Sequence, residues 1–293
     1  MENFFNQIKN RFKQKDLLIQ LIIINVAVFL LLALVDIFTK LFKLHGLNIV
    51  EYIAVSSDVS QLVKFWTPFT YMFVHQEVLH ILFNMLWLYW FGQVFLSYFN
   101  AKQLGSLYVL GGLAGAAFYI LLFNTIPYFV DLGHGPMIGA SAAVMAIVFA
   151  VGFYRPNASI RLFLFGEVKI VYIAIFLFLL DIFALRSDSN LGGHVAHIGG
   201  AILGYVFASF YLKGKDITRW ISKMIDGIAN FSFSRKEPKM KVKFKKRDDD
   251  YQYNERQNDK QTEIDRILDK IKASGYTSLS KDEKQRLFDA SRK

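Results

Sequence analysis

Six long apolar segments alternate with polar stretches along the chain. A helix needs roughly 20 apolar residues to cross a bilayer, and the segments are close to that length. Because backbone groups in hydrocarbon must be hydrogen-bonded within their own segment, the segments are predicted to be helices. The pattern predicts an all-α polytopic membrane protein, a six-transmembrane-helix bundle with a soluble C-terminal helical tail. Its six spans are expected at Leu17 to about Phe38, Val78–Phe99, Leu104 to about Phe123, Gly139 to just before Arg155, Val168–Leu185 and Gly193–Leu212.

The polar stretches at the two ends complete the predicted organisation. Residues 1–16 mix phenylalanines with Lys and Arg and are expected to form an amphipathic N-terminus on the cytoplasmic side. Residues 17–213 form the six-helix domain, and residues 214–257 form a basic linker. In residues 258–293, apolar residues recur at helical spacing, and Ser280 with Glu283 has the pattern of a capping box. We expect a small cytoplasmic helical hairpin there.

Composition and charge narrow the class of protein. Hydrophobic residues make up 54% of the 293 residues and charged residues only 20%. The absence of cysteine excludes a disulfide scaffold, a thiolate metal site and a cysteine nucleophile. The net charge of +10 is concentrated near the ends, beside apolar spans, which favours contact with a lipid bilayer over nucleic acid. The distribution of Lys and Arg between loops predicts both termini in the cytoplasm, with a cell membrane, a bacterial inner membrane, as the location.

Polar side chains near the start of the even-numbered spans suggest a catalytic site. His80 and Asn84 lie in the first turns of span two, Ser141 in the first turn of span four and His197 in the first turns of span six. Even-numbered spans enter from the same face of the membrane, so these side chains reach a common depth of roughly 5–10 Å at 1.5 Å per residue. Polar residues within spans are costly and usually functional.

These residue types match the needs of nucleophilic catalysis. Ser141 becomes an effective nucleophile only when a base such as His197 takes its proton, and the same histidine can later protonate the leaving amine. His80 and Asn84 are four residues apart on one helix face and can donate hydrogen bonds to an oxyanion, together with the Ser141 backbone N–H.

Small residues surround the predicted nucleophile and follow the predicted base. Gly139 stands two residues before Ser141, where it permits a close approach by substrate and by neighbouring helices. Gly200 and Gly204 form a Gly-x-x-x-Gly step after His197, which lets span six pack closely on span four. That packing would bring His197 to Ser141.

The combined motifs closely resemble those of the rhomboid family. They comprise His75-x4-His80-x3-Asn84, Gly139-x-Ser141 and Ala196-His197-x2-Gly200-x3-Gly204, in the family's order. The resemblance implies an intramembrane serine endopeptidase that uses a Ser–His dyad, without metal or cofactor, to cleave proteins in or near their transmembrane helices. It implies that Ser141 is the nucleophile, that His197 is the general base and acid, and that His80 and Asn84 help to form the oxyanion hole. His75 would lie at the mouth of the cavity.

Two positions depart from the family pattern. Trp66 is followed by Thr67 where many relatives have arginine, which affects hydrogen bonding within the first loop. Met145 stands one turn after Ser141, where an aromatic residue often supports the histidine, so His197 is expected to be held differently here.

Other interpretations of the polar residues remain open. A catalytically silent rhomboid-like protein that binds or escorts membrane proteins is the alternative function. Asp36 and Asp181 could in principle form an aspartyl protease pair, and His75, His80, His194 and His197 could in principle bind zinc. No acid is expected beside His197, and His194, like His45 and His134, is interpreted as an ordinary loop or loop-edge residue.

Overall fold

The computed structural model describes residues 16–44, 48–162, 166–187, 189–224 and 262–291. Helices dominate it, and the apolar segments begin and end within a few residues of their predicted bounds. The apolar helices are α1 (Leu17–Leu41), α2 (Val78–Leu96), α3 (Ala101–Thr125), α4 (Ser141–Tyr154), α5 (Ile170–Ala184) and α6 (Leu191–Leu212).

Four of these helices are long and apolar enough to cross a membrane. They are α1, α2, α3 and α6, with 25, 19, 25 and 22 residues. The other two, α4 and α5, have 14 and 15 residues. At 1.5 Å per residue α4 is about 21 Å long, shorter than the ~30 Å hydrocarbon core. The structure thus supports a polytopic membrane protein, and the count of six spans stays a prediction.

Helix α4 lies at the centre of the bundle. Every residue from Ala142 to Gly152 is buried. A Cβ added at Gly200 or Gly204 of α6 would lie 2.1 Å from the Ala142 carbonyl oxygen or 2.2 Å from that of Ala146. The α4 and α6 backbones are therefore in direct contact, which only glycine allows at these two positions.

A second set of glycines, on α3, packs against α4. A Cβ at Gly111 would lie 2.5 Å from the Ala146 Cβ, and one at Gly115 would lie 2.5 Å from the Ala142 Cβ. These contacts were not predicted from the sequence. Helix α4 is thus enclosed by helices on two sides whose small residues match its alanines.

Two short antiparallel sheets correct the expectation of a purely α-helical fold. Strand β1 (Val55–Ser56) pairs with β2 (Pro136–Met137), which joins the first loop to the segment before α4. Strands β3 (Ser159–Leu162) and β4 (Gly166–Lys169) form a hairpin between α4 and α5. The β1–β2 pair was not predicted, because two-residue strands leave no periodic pattern and their partners are distant in sequence.

The long first loop is ordered by short turns and by hydrogen bonds to its own backbone. It contains helical turns at Ile49–Ile53 and Thr67–Thr70. The Trp66 indole donates a 2.7 Å hydrogen bond to the Tyr52 carbonyl, and the Thr67 hydroxyl donates one of 3.0 Å to the Lys64 carbonyl. Thr67, which departs from the family pattern, therefore takes part in the loop's hydrogen bonding.

The chain divides into two compact units, Met1–Phe233 and Ser234–Lys293. In the second unit the structure describes a helix at 262–274 and another at Lys281–Ser291. Ser280 and Glu283 exchange the two hydrogen bonds of a capping box, at 2.7 and 3.2 Å. Lys270 forms a 2.9 Å ion pair with Glu283. Most of the predicted linker, most of the predicted N-terminal segment, and His45 lie outside the described residues.

Candidate active site

Ser141 is the first residue of α4, and the turn before it requires glycine. Gly139 has a φ of +121°, and its N–H donates a 3.0 Å hydrogen bond to the Tyr71 carbonyl. A Cβ at Gly139 would lie 2.9 Å from two atoms of the His80 ring and 3.7 Å from the Ser141 hydroxyl. Gly139 thus allows the His80 ring to approach the chain directly beside Ser141.

Ser141 and His197 lie within hydrogen-bonding distance of each other. The Ser141 Oγ is 2.6 Å from the His197 Nε2. The two residues come from α4 and α6, whose close contact depends on Gly200 and Gly204. A serine and a histidine at this distance have the geometry that proton transfer requires.

Asp181 contacts the other nitrogen of His197, and this contact was not predicted. Its Oδ1 is 2.8 Å from the His197 Nδ1. The same Oδ1 is also 2.8 Å from the Nδ1 of His194. The expectation that no acid lies beside His197 was therefore wrong, and so was the interpretation of His194 as a loop-edge residue. Residues distant in sequence meet here because α5 and α6 pack together.

The structure also separates the two aspartates that were considered as a protease pair. Asp36 is exposed on α1 and forms a 2.7 Å ion pair with Lys40. Asp181 is buried and faces the two histidines. The sequence signal that could have identified it is its place as an acidic residue inside the strongly apolar segment of α5, where an unpartnered carboxylate would be costly.

His80 and Asn84 lie on α2, on the wall of the cavity that contains Ser141. The Asn84 amide donates one hydrogen bond of 2.9 Å to the His80 carbonyl, and its second N–H is not required for this bond. The two side chains can thus offer hydrogen-bond donors from the α2 wall of the cavity.

His75 lies behind the nucleophile, in the loop that precedes α2. Its ring packs 4.9 Å from the His80 ring, and its Nε2 accepts a 3.4 Å hydrogen bond from the Ala140 N–H. Burial, reinforced by the neighbouring His80, lowers the pKa of His75 to about 4. The ring is therefore neutral at neutral pH and can accept this hydrogen bond. His75 supports the turn before α4, and its buried ring differs from the predicted position at the mouth of the cavity.

Ser141 and His197 line a cavity of about 1160 Å³. It is large enough to hold several residues of an extended peptide. Leu79 and Phe83 of α2 and Leu177 and Leu180 of α5 contribute apolar walls. Its polar lining includes His80, Asn84, Ser141, Asp181, His194 and His197.

One group of side chains has a geometry that a metal ion could use. In the part of the chain that the structure describes, ligand atoms of Asp181, His194 and His197 lie within 4.8 Å of one another. Both Nδ1 atoms, however, stand at hydrogen-bond distance from the carboxylate, which accounts for the cluster without an ion. His75 and His80, which were considered as zinc ligands with this pair, are not part of this group: the His75 ring packs against the His80 ring and accepts a hydrogen bond from the Ala140 N–H.

Comparison with known proteins identifies the family. A family model described as the Rhomboid domain matches residues 63–214, more than half of the chain. The chain belongs to the rhomboid family. The resemblance seen in the sequence motifs is thereby confirmed. A second model, described only as a family of unknown function (DUF6576), matches residues 248–293.

Several curated relatives are similar to about half of the chain or more. RHOMBOID-like protein 12, mitochondrial, from Arabidopsis thaliana is 30% identical over 211 residues, which are 69% of this chain and 60% of that protein. Rhomboid protein 1, mitochondrial, from Saccharomyces cerevisiae is 30% identical over 50% of this chain and 42% of that protein. Presenilin-associated rhomboid-like protein A, mitochondrial, from Danio rerio is 28% identical over 47% of this chain and 35% of that protein. The chain thus spans about a third to three fifths of the relatives it matches.

These relatives contradict the predicted location. Each of the three is named as a mitochondrial protein, which points away from a bacterial cell membrane and towards a mitochondrial membrane. The distribution of Lys and Arg indicates on which face of a membrane a loop lies, and it does not identify the membrane. The prediction of a bacterial inner membrane with both termini in the cytoplasm was therefore wrong.

Proposed function

We propose that this rhomboid family member is an intramembrane serine endopeptidase that hydrolyses peptide bonds in or near the transmembrane helices of other membrane proteins. The observation that carries the proposal is the 2.6 Å contact between the Ser141 Oγ and the His197 Nε2, two residues that line the cavity. A packing serine needs no such partner, whereas a serine nucleophile does.

In the first step, the Ser141 Oγ attacks the scissile carbonyl carbon while its proton passes to the His197 Nε2. The carbonyl π electrons move to oxygen, and a tetrahedral oxyanion forms. The Ser141 backbone N–H, at the start of α4, and donors from His80 and Asn84 can stabilise that charge. This distribution puts the oxyanion on the α2 side and the base on the α6 side of the nucleophile.

In the second step, the tetrahedral species collapses and the peptide C–N bond breaks. The proton on His197 moves to the leaving amine, and an acyl-enzyme ester on Ser141 remains. A water molecule then attacks the ester with His197 again acting as the base, which releases the new carboxylate and restores the Ser141 hydroxyl. The cycle consumes one water molecule and requires no cofactor.

The apolar walls of the cavity support a transmembrane helix as the substrate. Leu79 and Phe83 of α2 and Leu177 and Leu180 of α5 line it. A substrate helix must unwind before its carbonyl reaches Ser141, because helical hydrogen bonds hide the scissile bond. We therefore expect cleavage beside small or helix-weakening residues. We further propose that α4 and α5 complete six spans, with neighbouring helices covering the short α4.

The test is cleavage of a panel of single-span proteins by the purified protein in proteoliposomes. Replacement of Ser141 by alanine should abolish cleavage, a loss of at least about 10⁴-fold given the cost of removing a serine nucleophile. Ser97→Ala is the matched control, because Ser97 is an exposed serine at the end of α2 whose hydroxyl donates a 3.2 Å hydrogen bond to the Gln93 carbonyl, one turn earlier. This control should retain wild-type activity.

A fluorophosphonate probe distinguishes the protease from a client-binding protein. Labelling that requires both Ser141 and His197 is expected for the enzyme. Cleavage by Ser141→Ala at the wild-type rate would refute the assignment of the nucleophile. A wild-type protein that binds single-span proteins but neither cleaves them nor reacts with the probe would instead indicate an escort function.

A further inference from the structure

The Asp181 carboxylate bridges two histidines of the adjacent helix through one oxygen atom. Its Oδ1 lies 2.8 Å from the Nδ1 atoms of both His194 and His197. The aspartate is buried, although most of the α5 surface around it is exposed. His194 and His197 are three residues apart on α6, so both rings project from the same face of that helix.

From this geometry we propose, resting on the function proposed above, that Asp181 is a positioning residue that holds His197 in its reactive form and that His194 anchors Asp181. The proposal extends the predicted dyad to a network of four side chains: Ser141, His197, Asp181 and His194.

Asp181 determines the tautomer of His197. An ionised carboxylate can only accept hydrogen bonds, so the His197 Nδ1 beside it carries hydrogen. The Nε2 of the neutral ring then has its lone pair directed at the Ser141 hydroxyl, which is the arrangement that proton transfer requires. Without the carboxylate, the ring could equally carry its hydrogen on Nε2. In that form the Nε2 has no lone pair to accept the Ser141 proton, and the ring could not act as the base.

The negative charge of Asp181 provides a second contribution. His197 becomes a cation as it takes the Ser141 proton, and the carboxylate lies on its opposite side. Electrostatic attraction at this distance is stronger in a poorly hydrated site than in water. Asp181 therefore stabilises the charge that develops in the transition state, in addition to orienting the ring.

The role of His194 follows from the position of Asp181 on α5. Few residues of that helix are buried against the rest of the bundle: Ile170, Ile173, Ala174 and Asp181. A second N–H···O bond from His194 fixes the carboxylate, which would otherwise have only the catalytic ring as its partner in this network. Anchoring the acid also limits rotation of the His197 ring away from Ser141.

The experiment compares five variants with the wild type in proteoliposomes: Asp181→Asn, Asp181→Ala, His194→Ala, His194→Asn and Asp36→Asn. Asparagine at 194 presents its amide nitrogen close to the position of the histidine Nδ1, so it can restore the donor that alanine removes. Asp36→Asn is the matched control, because it makes the same change at an exposed helix carboxylate. Each variant is characterised by kcat, KM, the rate of fluorophosphonate labelling and the final labelled fraction.

We expect Asp181→Asn and Asp181→Ala to lower kcat by at least about 10²-fold and at most about the 10⁴-fold loss that follows replacement of the acid in a serine protease triad. KM should stay within about threefold, because Asp181 orients a catalytic group and does not bind the substrate. The labelling rate should fall in parallel while the final labelled fraction stays at the wild-type value. A purely structural role would lower the final fraction and leave the rate per labelled site unchanged.

For His194→Ala we expect a smaller loss of kcat, of about tenfold, with most of it restored in His194→Asn. Asp36→Asn should behave as the wild type. If Asp181→Asn cannot be obtained in a folded state, the His194 pair and Asp181→Ala still test the network.

Distinct results would overturn each level of the proposal. Labelling of Asp181→Asn within threefold of the wild-type rate would overturn the role of Asp181 and leave the protease assignment intact. A loss in His194→Ala as large as in Asp181→Asn, not restored by asparagine, would overturn the assignment of Asp181 as the group that acts on His197. If the wild type itself neither cleaves nor labels, the proposed function fails and this inference falls with it.

Discussion

Helices α4 and α5 are similar in length but differ in how deeply they are buried and in the size of their side chains. Both are apolar and shorter than the other membrane helices, with 14 and 15 residues. In α4 the residues from Ala142 to Gly152 are all buried, whereas in α5 only Ile170, Ile173, Ala174 and Asp181 are buried. Helix α4 is rich in alanine, and α5 in phenylalanine, isoleucine and leucine.

This difference matches what each helix contributes to the site. Small side chains let α3 and α6 approach α4 closely, so the Ser141 position is fixed by backbone packing on two sides. The exposed side chains of α5 are mostly large and apolar, and its buried stripe ends in Asp181. The nucleophile is thus held by packing, whereas the acid is held by hydrogen bonds to α6.

The strongest test of this contrast is a substitution in the α4–α6 contact. Gly200→Val places a side chain where a Cβ would already lie 2.1 Å from the Ala142 carbonyl oxygen. Because both atoms are tied to helix backbones, the helices must separate, and we expect a loss of about 3 kcal/mol or more in the free energy of unfolding. Thermal unfolding in detergent and the final fluorophosphonate-labelled fraction should both report little folded protein.

The matched control is Gly135→Ala, since a Cβ at Gly135 meets no atom within 4 Å. If Gly200→Val unfolds at the wild-type temperature, the α4–α6 contact is not tight. That result would contradict the view that α4 is held in place by close backbone packing.

A second test compares one phenylalanine from each helix. Phe149 of α4 is 6% exposed, and Phe176 of α5 is 60% exposed. Phe149→Ala removes packing and leaves a cavity, and we expect a destabilisation of about 2 kcal/mol, less than in a water-soluble core because lipid is itself apolar. Phe176→Ala should cost less than about 0.5 kcal/mol, as is usual for exposed positions. If the two variants lower the unfolding temperature equally, Phe149 is not buried within the bundle and Phe176 is not exposed on its outside, contrary to the structure.

The third test changes activity more than stability. Gly139→Ala adds a Cβ 2.9 Å from the His80 ring, at a φ of +121° that alanine rarely adopts. We expect His80 to move and kcat/KM to fall by about tenfold, equivalent to about 1.4 kcal/mol of transition-state stabilisation. The unfolding temperature should change by only a few degrees. Unchanged kcat/KM would indicate that the position of His80 beside this turn does not matter for catalysis.

Much of the helical framework could be predicted from the sequence. A span satisfies its backbone hydrogen bonds within its own segment, so a run of apolar residues is a local signal for a helix and its approximate ends. That His80, Asn84, Ser141 and His197 would lie close together was predicted from the parity of their spans, and all four line one cavity. Gly200 and Gly204 indicated a close helix contact, because two glycines four residues apart expose a strip of backbone.

The role of Asp181 could not be predicted in this way. Asp36 and Asp181 looked alike as carboxylates in apolar segments, and only the rotation of each helix about its axis decides whether a side chain faces the bundle or the outside. That rotation is set by side-chain packing among several helices at once. The pairing of β1 with β2 depends likewise on loops that approach each other only after the bundle has formed.

The sequence by itself determined the apolar helices and the residue types that nucleophilic catalysis needs, because both follow from local physical chemistry. The tertiary structure decided which nitrogen of His197 faces Ser141, which carboxylate faces His197, and that His194 shares that carboxylate. Those relations depend on distances between α4, α5 and α6, which no single segment encodes.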